Sequence, residues 1–212
     1  MNIVIAGATG LVGTFVLEHA KESEQIQHIH ILSRRPLTYD DDNITVHEVN
    51  YEDLSTLSIP DIDAVVCALG TTRSKSGKDG QRKVDLDYVV NTAQWAKDQQ
   101  VTSFAFVSSV GANAKASAFY LKLKGEAENQ INQLGIPNTF VFRPSLLLGP
   151  RKEVRVGEKI GEFVLKLVSP LLIGSLKKQR PVRASQVAKA ILHYLNNQTG
   201  NHVVDANEIR RF

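Results

Sequence analysis

The stretch NIVIAGATGLVGTFVLEHA, Asn2 to Ala20, runs from an apolar, β-branched segment through three spaced glycines into a helical pattern. Gly7, Gly10 and Gly13 form G-x-x-G-x-x-G at the junction. Between a strand and a helix, glycines so spaced give a tight turn, close approach of backbone to phosphate, and close packing of helix on strand. The first helical turn then offers unpaired N–H groups and the positive end of its dipole to a pyrophosphate. Gly7, Thr9, Gly10, Leu11, Val12 and Gly13 are therefore expected against a dinucleotide.

The pattern continues outward from this turn. Strand-like runs are NIVIA (Asn2–Ala6), HIHIL (His28–Leu32), ITVHEV (Ile44–Val49), DAVVCAL (Asp63–Leu69), SFAFVSS (Ser103–Ser109) and NTFVFR (Asn138–Arg143), with HVVDA (His202–Ala206) a weaker seventh. Helical patterns lie near Leu11–Lys21, Asp85–Asp98, Ser117–Leu134, Glu158–Val168 and Ala184–Asn196. Strands apolar on both faces and separated by helices make a parallel sheet covered on both sides. The fold class expected is α/β, a Rossmann-type doubly wound sheet. No linker divides the chain, so residues 1–212 are read as a single domain. Residues 150–181 depart from the alternation and are read as a small C-terminal cap on the substrate side.

Composition excludes several classes of function. Of 212 residues, 42% are hydrophobic and 22% charged, which is ordinary for a globular domain. A net charge of +3 gives no argument for a nucleic-acid partner. The single cysteine, Cys67, allows no internal disulfide, and a cytoplasmic location is expected from it. No signal peptide is read at the start of the sequence. No apolar run reaches the roughly 20 residues of a membrane span; the closest, Phe163–Gly174, contains Lys166 and Pro170.

The second strand discriminates between dinucleotides. An NAD site carries a carboxylate about 20 residues beyond the glycines, accepting from the ribose 2′-OH. Here that place reads Ser33-Arg34-Arg35. Two guanidiniums suit a 2′-phosphate, which they grip in bidentate fashion. The cofactor expected is NADP(H) in preference to NAD(H). Asn50 and Tyr51, ending the third strand, are placed to flank the adenine.

The segment AFYLKLK, Ala118–Lys124, alternates like a strand but scores as a helix. At 100° per residue Phe119, Leu123, Ala127, Ile131 and Leu134 share one stripe, and Gly135 and Pro137 mark the stop. Tyr120 is expected inside the stripe, Lys124 at its edge, and Leu121 comparatively exposed. Residues four apart stack on a helix face. A phenol beside an ammonium is tuned toward ionisation and can act as a general acid or base. Ser108-Ser109 end the preceding strand at the carboxyl edge, where a hydroxyl can meet the same substrate oxygen.

GATGLVG, SSVGA, Y-x-x-x-K and FRPSLLLGP, in this order, resemble the short-chain dehydrogenase/reductase superfamily. CALGTTRSKSG and SAFYLKLKGEAE look more narrowly like its atypical branch around the Tat-interacting-protein oxidoreductases. The resemblance implies Tyr120 as proton donor to a carbonyl, or acceptor from an alcohol. It implies Lys124 as charge partner of Tyr120 and ligand of the nicotinamide ribose, and Ser109 as the orienting hydroxyl. It also implies a cofactor-lining turn at CALGT, with Ala68, Leu69 and Gly70, and an Arg143-Pro144 pair near the nicotinamide. The chain reads Val84-Asp85-Leu86 where many relatives with a sugar-nucleotide substrate domain read V-N-V, and no role is assigned there.

The function expected is an NADP(H)-dependent oxidoreductase of a small carbonyl or alcohol. A non-catalytic NADP(H)-binding redox sensor is the alternative, and a sugar-nucleotide epimerase or dehydratase a third reading that the short cap weakens. Gly70–Lys83 is read as a basic loop, either a lid drawing an anionic substrate or a merely solvated segment. His28 and His30 share a strand face without a third ligand, so no metal is expected. Cys67 is read as inert core, and Phe163–Gly174 as core or closure over the nicotinamide. An apolar face on the fourth and fifth helices would suit a homodimer.

Overall fold

The structure, a computed structural model, describes residues 1–150 and 180–212. The cap expected over 150–181, its helix at Glu158–Val168 and the Phe163–Gly174 segment lie outside the described residues, apart from the two ends of the cap. Strands β1 (Asn2–Ala6), β2 (His28–Ser33), β3 (Ile44–Glu48), β4 (Ala64–Cys67), β5 (Ser103–Val107), β6 (Asn138–Arg143) and β9 (Asn201–Asp205) form one parallel sheet. Its order is β3-β2-β1-β4-β5-β6-β9. The chain winds one way from β1 to β3, returns past β1, and continues the other way from β4. The crevice at that reversal is where such sheets bind ligands. A second, two-stranded sheet pairs β7 (Leu147–Leu148) with β8 (Val182–Arg183), an element the periodicity did not reveal because each strand is only two residues long.

Successive strand residues face opposite layers. From β1, Ile3 and Ile5 join a core with Val12, Val16 and Leu17 of α1 (Leu11–Lys21), and with Val187 and Ile191 of the helix Ala184–Asn197. Val4 and Ala6 join a second core on the other face. It is closed by Val89, Ala93 and Trp95 of the helix Tyr88–Asp98, and by Leu123, Ala127 and Ile131 of the helix Phe119–Gln133. Both faces are covered, which explains strands with no polar alternation.

The basic segment 70–83 differs from the expected loop. Arg73–Arg82 is helical (α2), broken only at Gly77, whose φ of 69° turns the backbone out of the right-handed region. A π-turn over Lys83–Asp87 joins it to α3 (Tyr88–Asp98). Lys78 lies over the Phe119 ring and Arg82 pairs with Glu126 at 3.5 Å, so two side chains of α2 reach α4 (Phe119–Gln133). The helix Ala184–Asn197 is α5, and a last short helix, α6, spans Ala206–Ile209.

Candidate functional site

The glycine turn is closely built. Gly7 has φ 92°, and a Cβ on it would stand 2.8 Å from the carbonyl of Ala68. The turn after β1 therefore lies directly on the turn after β4. A Cβ on Gly13 would meet the Gly7 carbonyl oxygen at 2.1 Å, so α1 starts hard against the strand exit. Gly10 stands at the N-cap and no side chain caps the helix, so the amides of its first turn are offered to a ligand rather than to the protein. Leu11 is partly buried and Thr9 exposed, while Val12 is core through its side chain and can meet a ligand only through backbone. A cradle of this tightness, open at a helix start, fits a pyrophosphate.

At the end of β2, Ser33 accepts from the Arg35 amide at 3.2 Å, which shapes the turn. Arg34 and Arg35 are exposed; the Arg34 guanidinium lies 5.9 Å from the Tyr88 ring centre. Among the described residues neither guanidinium meets a carboxylate within salt-bridge distance. Asn50 is exposed, its side chain accepting from the Glu52 amide. Tyr51 departs from expectation. It is only 2% exposed, donates its hydroxyl to the Leu32 carbonyl at 2.8 Å and stacks on Tyr88. Burial raises its pKa. The chain turns sharply after β3, and the phenol fills the core instead of flanking an adenine. A cleft of about 430 Å³ beyond Tyr88 is lined by Glu52, Arg82, Lys83 and Asn91 among others. Lys83 and Glu52 are paired at 2.5 Å there.

The catalytic candidates lie at the exit of β5 and on α4, with the exposures of the α4 pair exchanged. Tyr120, expected inside the stripe, is 37% exposed, and Lys124, expected at its edge, is 2% exposed. The stripe is centred on Leu123 and Ala127, and Lys124 sits next to it over the sheet. Its ammonium lies 4.9 Å from the Phe106 ring centre and 5.9 Å from that of Tyr120. It donates to the Val107 carbonyl and pairs with Asp85, each at 3.2 Å. Burial works against the charged form, but Tyr120 and Asp85 outweigh it and Lys124 is held above its ordinary pKa. The lysine is a buried cation.

Asp85 was not found by sequence reasoning. It is 1% exposed, and its second oxygen accepts from the Thr71 amide at 3.2 Å. Glu128 was missed as well. It accepts from Ser108 and from both arms of Arg143, at 3.0 Å from Nε. Arg143, expected near the nicotinamide, is thus engaged by a carboxylate of α4, which raises its pKa. Pro144 is buried and accepts from the Val110 amide. With Ser108 so held, Ser109 is the partly exposed member of the pair, and its hydroxyl donates weakly to the Val110 carbonyl at 3.3 Å. A charge at i+4 from Lys124 is the only sequence signal that pointed to Glu128.

Ala68, Leu69 and Gly70 leave β4 beside the glycine turn, Ala68 and Leu69 partly buried and Gly70 exposed. Cys67 is fully buried, and burial pushes its thiol up to about 11. A third imidazole joins the pair on β2: His30 Nδ1 lies 3.1 Å from His47 Nε2. Among the described residues no group of three or more His, Cys, Asp or Glu side chains is arranged to hold a metal ion. No described helix is long and apolar enough to cross a membrane.

Comparison with known proteins gives the chain a family. The family described as NAD(P)H-binding matches residues 7–198. Rat HTATIP2 is 35% identical over 162 residues, covering 74% of this chain and 67% of that protein. The mitochondrial protein FMP52 of Candida albicans is 32% identical over 213 residues, covering 97% and 92%. Among solved structures, the Bordetella bronchiseptica enzyme WbmH in complex with NAD+ superimposes with a TM-score of 0.70 at 16% identity, covering 97% of this chain and 75% of that one. The expectation of a cytoplasmic protein is overturned: FMP52 proteins of three yeasts, 30–32% identical over nearly the whole chain, are named mitochondrial. A lone cysteine excludes an internal disulfide but says nothing of which compartment keeps it reduced. With its glycine turn, parallel sheet and aligned relatives, the chain belongs to the NAD(P)H-binding family, with HTATIP2 and FMP52 among its relatives.

Proposed function

We propose that this protein is an NADP(H)-dependent oxidoreductase acting on a small carbonyl or alcohol. The observation that carries this reading is the buried ammonium of Lys124 beside Tyr120, on the helix that follows the carboxyl end of β5. The glycine turn and the α1 amides would hold the pyrophosphate, Ser33, Arg34 and Arg35 the 2′-phosphate, Asn50 the adenine side, and Ala68–Gly70 the far half of the cofactor. Bound there, NADP(H) supplies or accepts the hydride. The protein moves the proton. Tyr120 donates its hydroxyl hydrogen to the substrate oxygen as the carbonyl carbon gains hydride, and takes it back in the reverse direction. The Lys124 ammonium stabilises the phenolate left behind. Ser109 donates to the same oxygen and orients it.

Lys78 lies over the Phe119 ring at the Tyr120 end of α4, and Arg73 and Lys75 share its helix, with Arg82 and Lys83 following, which favours an anionic substrate. A screen of NADPH oxidation over aldehydes and ketones tests the chemistry. Tyr120→Phe is expected to keep cofactor affinity and to lower kcat by about 10²–10⁴. Undiminished turnover in that variant contradicts the assignment, and no oxidation across a broad panel favours the sensor.

A further inference from the structure

We propose that Asp85 is a positioning residue for Lys124, a role that rests on the cofactor reading above. Asp85 and Lys124 form an ion pair with almost no solvent access on either side. A buried ion pair is a poor device for stability, since apolar residues of similar volume serve as well or better. Its presence calls for another use, and the geometry supplies one.

A lysine ammonium has three hydrogens on a flexible stem. Asp85 Oδ1 and the Val107 carbonyl take two of them, each at 3.2 Å. The direction of the third is then set, and it is the one Lys124 has for the nicotinamide ribose. The other oxygen of Asp85 accepts from the Thr71 amide. That amide ends the turn whose Ala68 carbonyl lies against Gly7. A Cβ on Gly70 would stand 3.2 Å from Asp85 Oδ1, so the carboxylate also lies against the turn. One side chain therefore ties the cofactor-lining turn to the lysine of α4. The π-turn makes this reach available. Its wider winding turns Asp85 and Leu86 inward while Asp87 stays exposed.

Charge matters as well as direction. The groups facing the ammonium are Asp85 from the π-turn, Tyr120 from its own helix and the Cys67 thiol from β4. Asp85 is the carboxylate among them. Without its charge, burial drives Lys124 toward the neutral amine.

The test is the NADPH affinity of the full chain from pH 7 to 9.5, by calorimetric titration, with folding followed by circular dichroism. Wild type is expected to bind with an affinity set by a permanently charged Lys124 and so nearly flat over this range. Asp85→Asn keeps the acceptor for Thr71 but removes the charge. It is expected to bind about tenfold more weakly at pH 7, the loss of one charge-assisted hydrogen bond, and more weakly still as pH rises. Asp85→Glu, which keeps the charge, is expected to restore the flat profile. A merely structural aspartate would change the melting temperature and leave this profile alone. Should Asp85→Asn fail to fold, Asp85→Asn/Lys124→Met removes both buried charges; it is expected to fold and to bind NADPH about tenfold more weakly. Wild-type affinity and pH profile in Asp85→Asn, or wild-type affinity in the double variant, overturn the proposal. A wild type that binds no NADPH overturns the cofactor reading itself.

Discussion

Gly125 follows Lys124 directly, and the chain after β5 lies across it. A Cβ there would come within 2.2 Å of the Ala114 amide and of the Asn113 carbonyl carbon. The Asn113 amide donates to the Leu121 carbonyl at 3.1 Å, so loop and helix are stitched together between Ser109 and Tyr120. Gly125→Ala is expected to destabilise by about 1–3 kcal/mol through overpacking, read as a lower urea midpoint at unchanged slope. A midpoint equal to wild type would show that the loop moves freely. The same neighbourhood shows what could be read at this scale. Y-x-x-x-K spacing and the helix were legible, and Gly135, with φ 69°, ends that helix as expected. The depth of each side chain was not. A helical wheel gives angular position, but whether Lys124 or Tyr120 is buried depends on Asp85 and Phe106, which other elements bring. Leu121 is partly buried against Gly111, more open than Leu123. Tyr51 is the converse case, where a place next to a strand end resembled a ligand site and the core claimed the ring.

The strands were legible because a doubly covered parallel sheet leaves continuous apolar runs, and NIVIA and NTFVFR match their strands residue for residue. α2 was not, because Arg73–Arg82 carries no apolar stripe and is interrupted at Gly77. The histidines of β2 and β3 give this scale its pH dependence. Burial, then His28 and His47, lower His30 from 6.5 to about 4. Between those values the unfolded chain binds more protons than the folded one, so stability rises with pH. The contribution is complete above pH 6.5 and lost as pH falls toward about 4. His30→Gln is expected to flatten this part of the urea midpoint profile; parallel profiles for variant and wild type would count against it. The basic face of α2 gives a second expectation. Once a substrate is known, raising salt from about 0.05 to about 0.5 M should raise KM, as screening shortens the Debye length. A flat KM would make α2 a solvated surface only.

At the scale of the whole molecule, one sheet brings the β1 turn, the β2 end, the β4 turn and the β5–α4 unit to a common carboxyl edge. That convergence was legible from the order of the motifs alone, since parallel topology places every strand exit on the same side. Asp85 was not legible, because a π-turn has no periodic signature and the carboxylate meets its partner across 39 residues of sequence. A ligand held by the whole edge should stabilise the whole fold. At about 100 times its Kd, NADPH is expected to add about 2.7 kcal/mol and to raise Tm by roughly 5–10 °C; no shift would place binding outside the native state. Every role assigned above depends on the site taking NADP(H), and that choice can be measured without knowing the substrate. Parallel calorimetric titrations with NADPH and NADH should show tighter binding of NADPH to wild type, and Arg34→Ala/Arg35→Ala should lose that preference while still binding NADH. Equal affinity for the two, or tighter binding of NADH by wild type, would contradict the account.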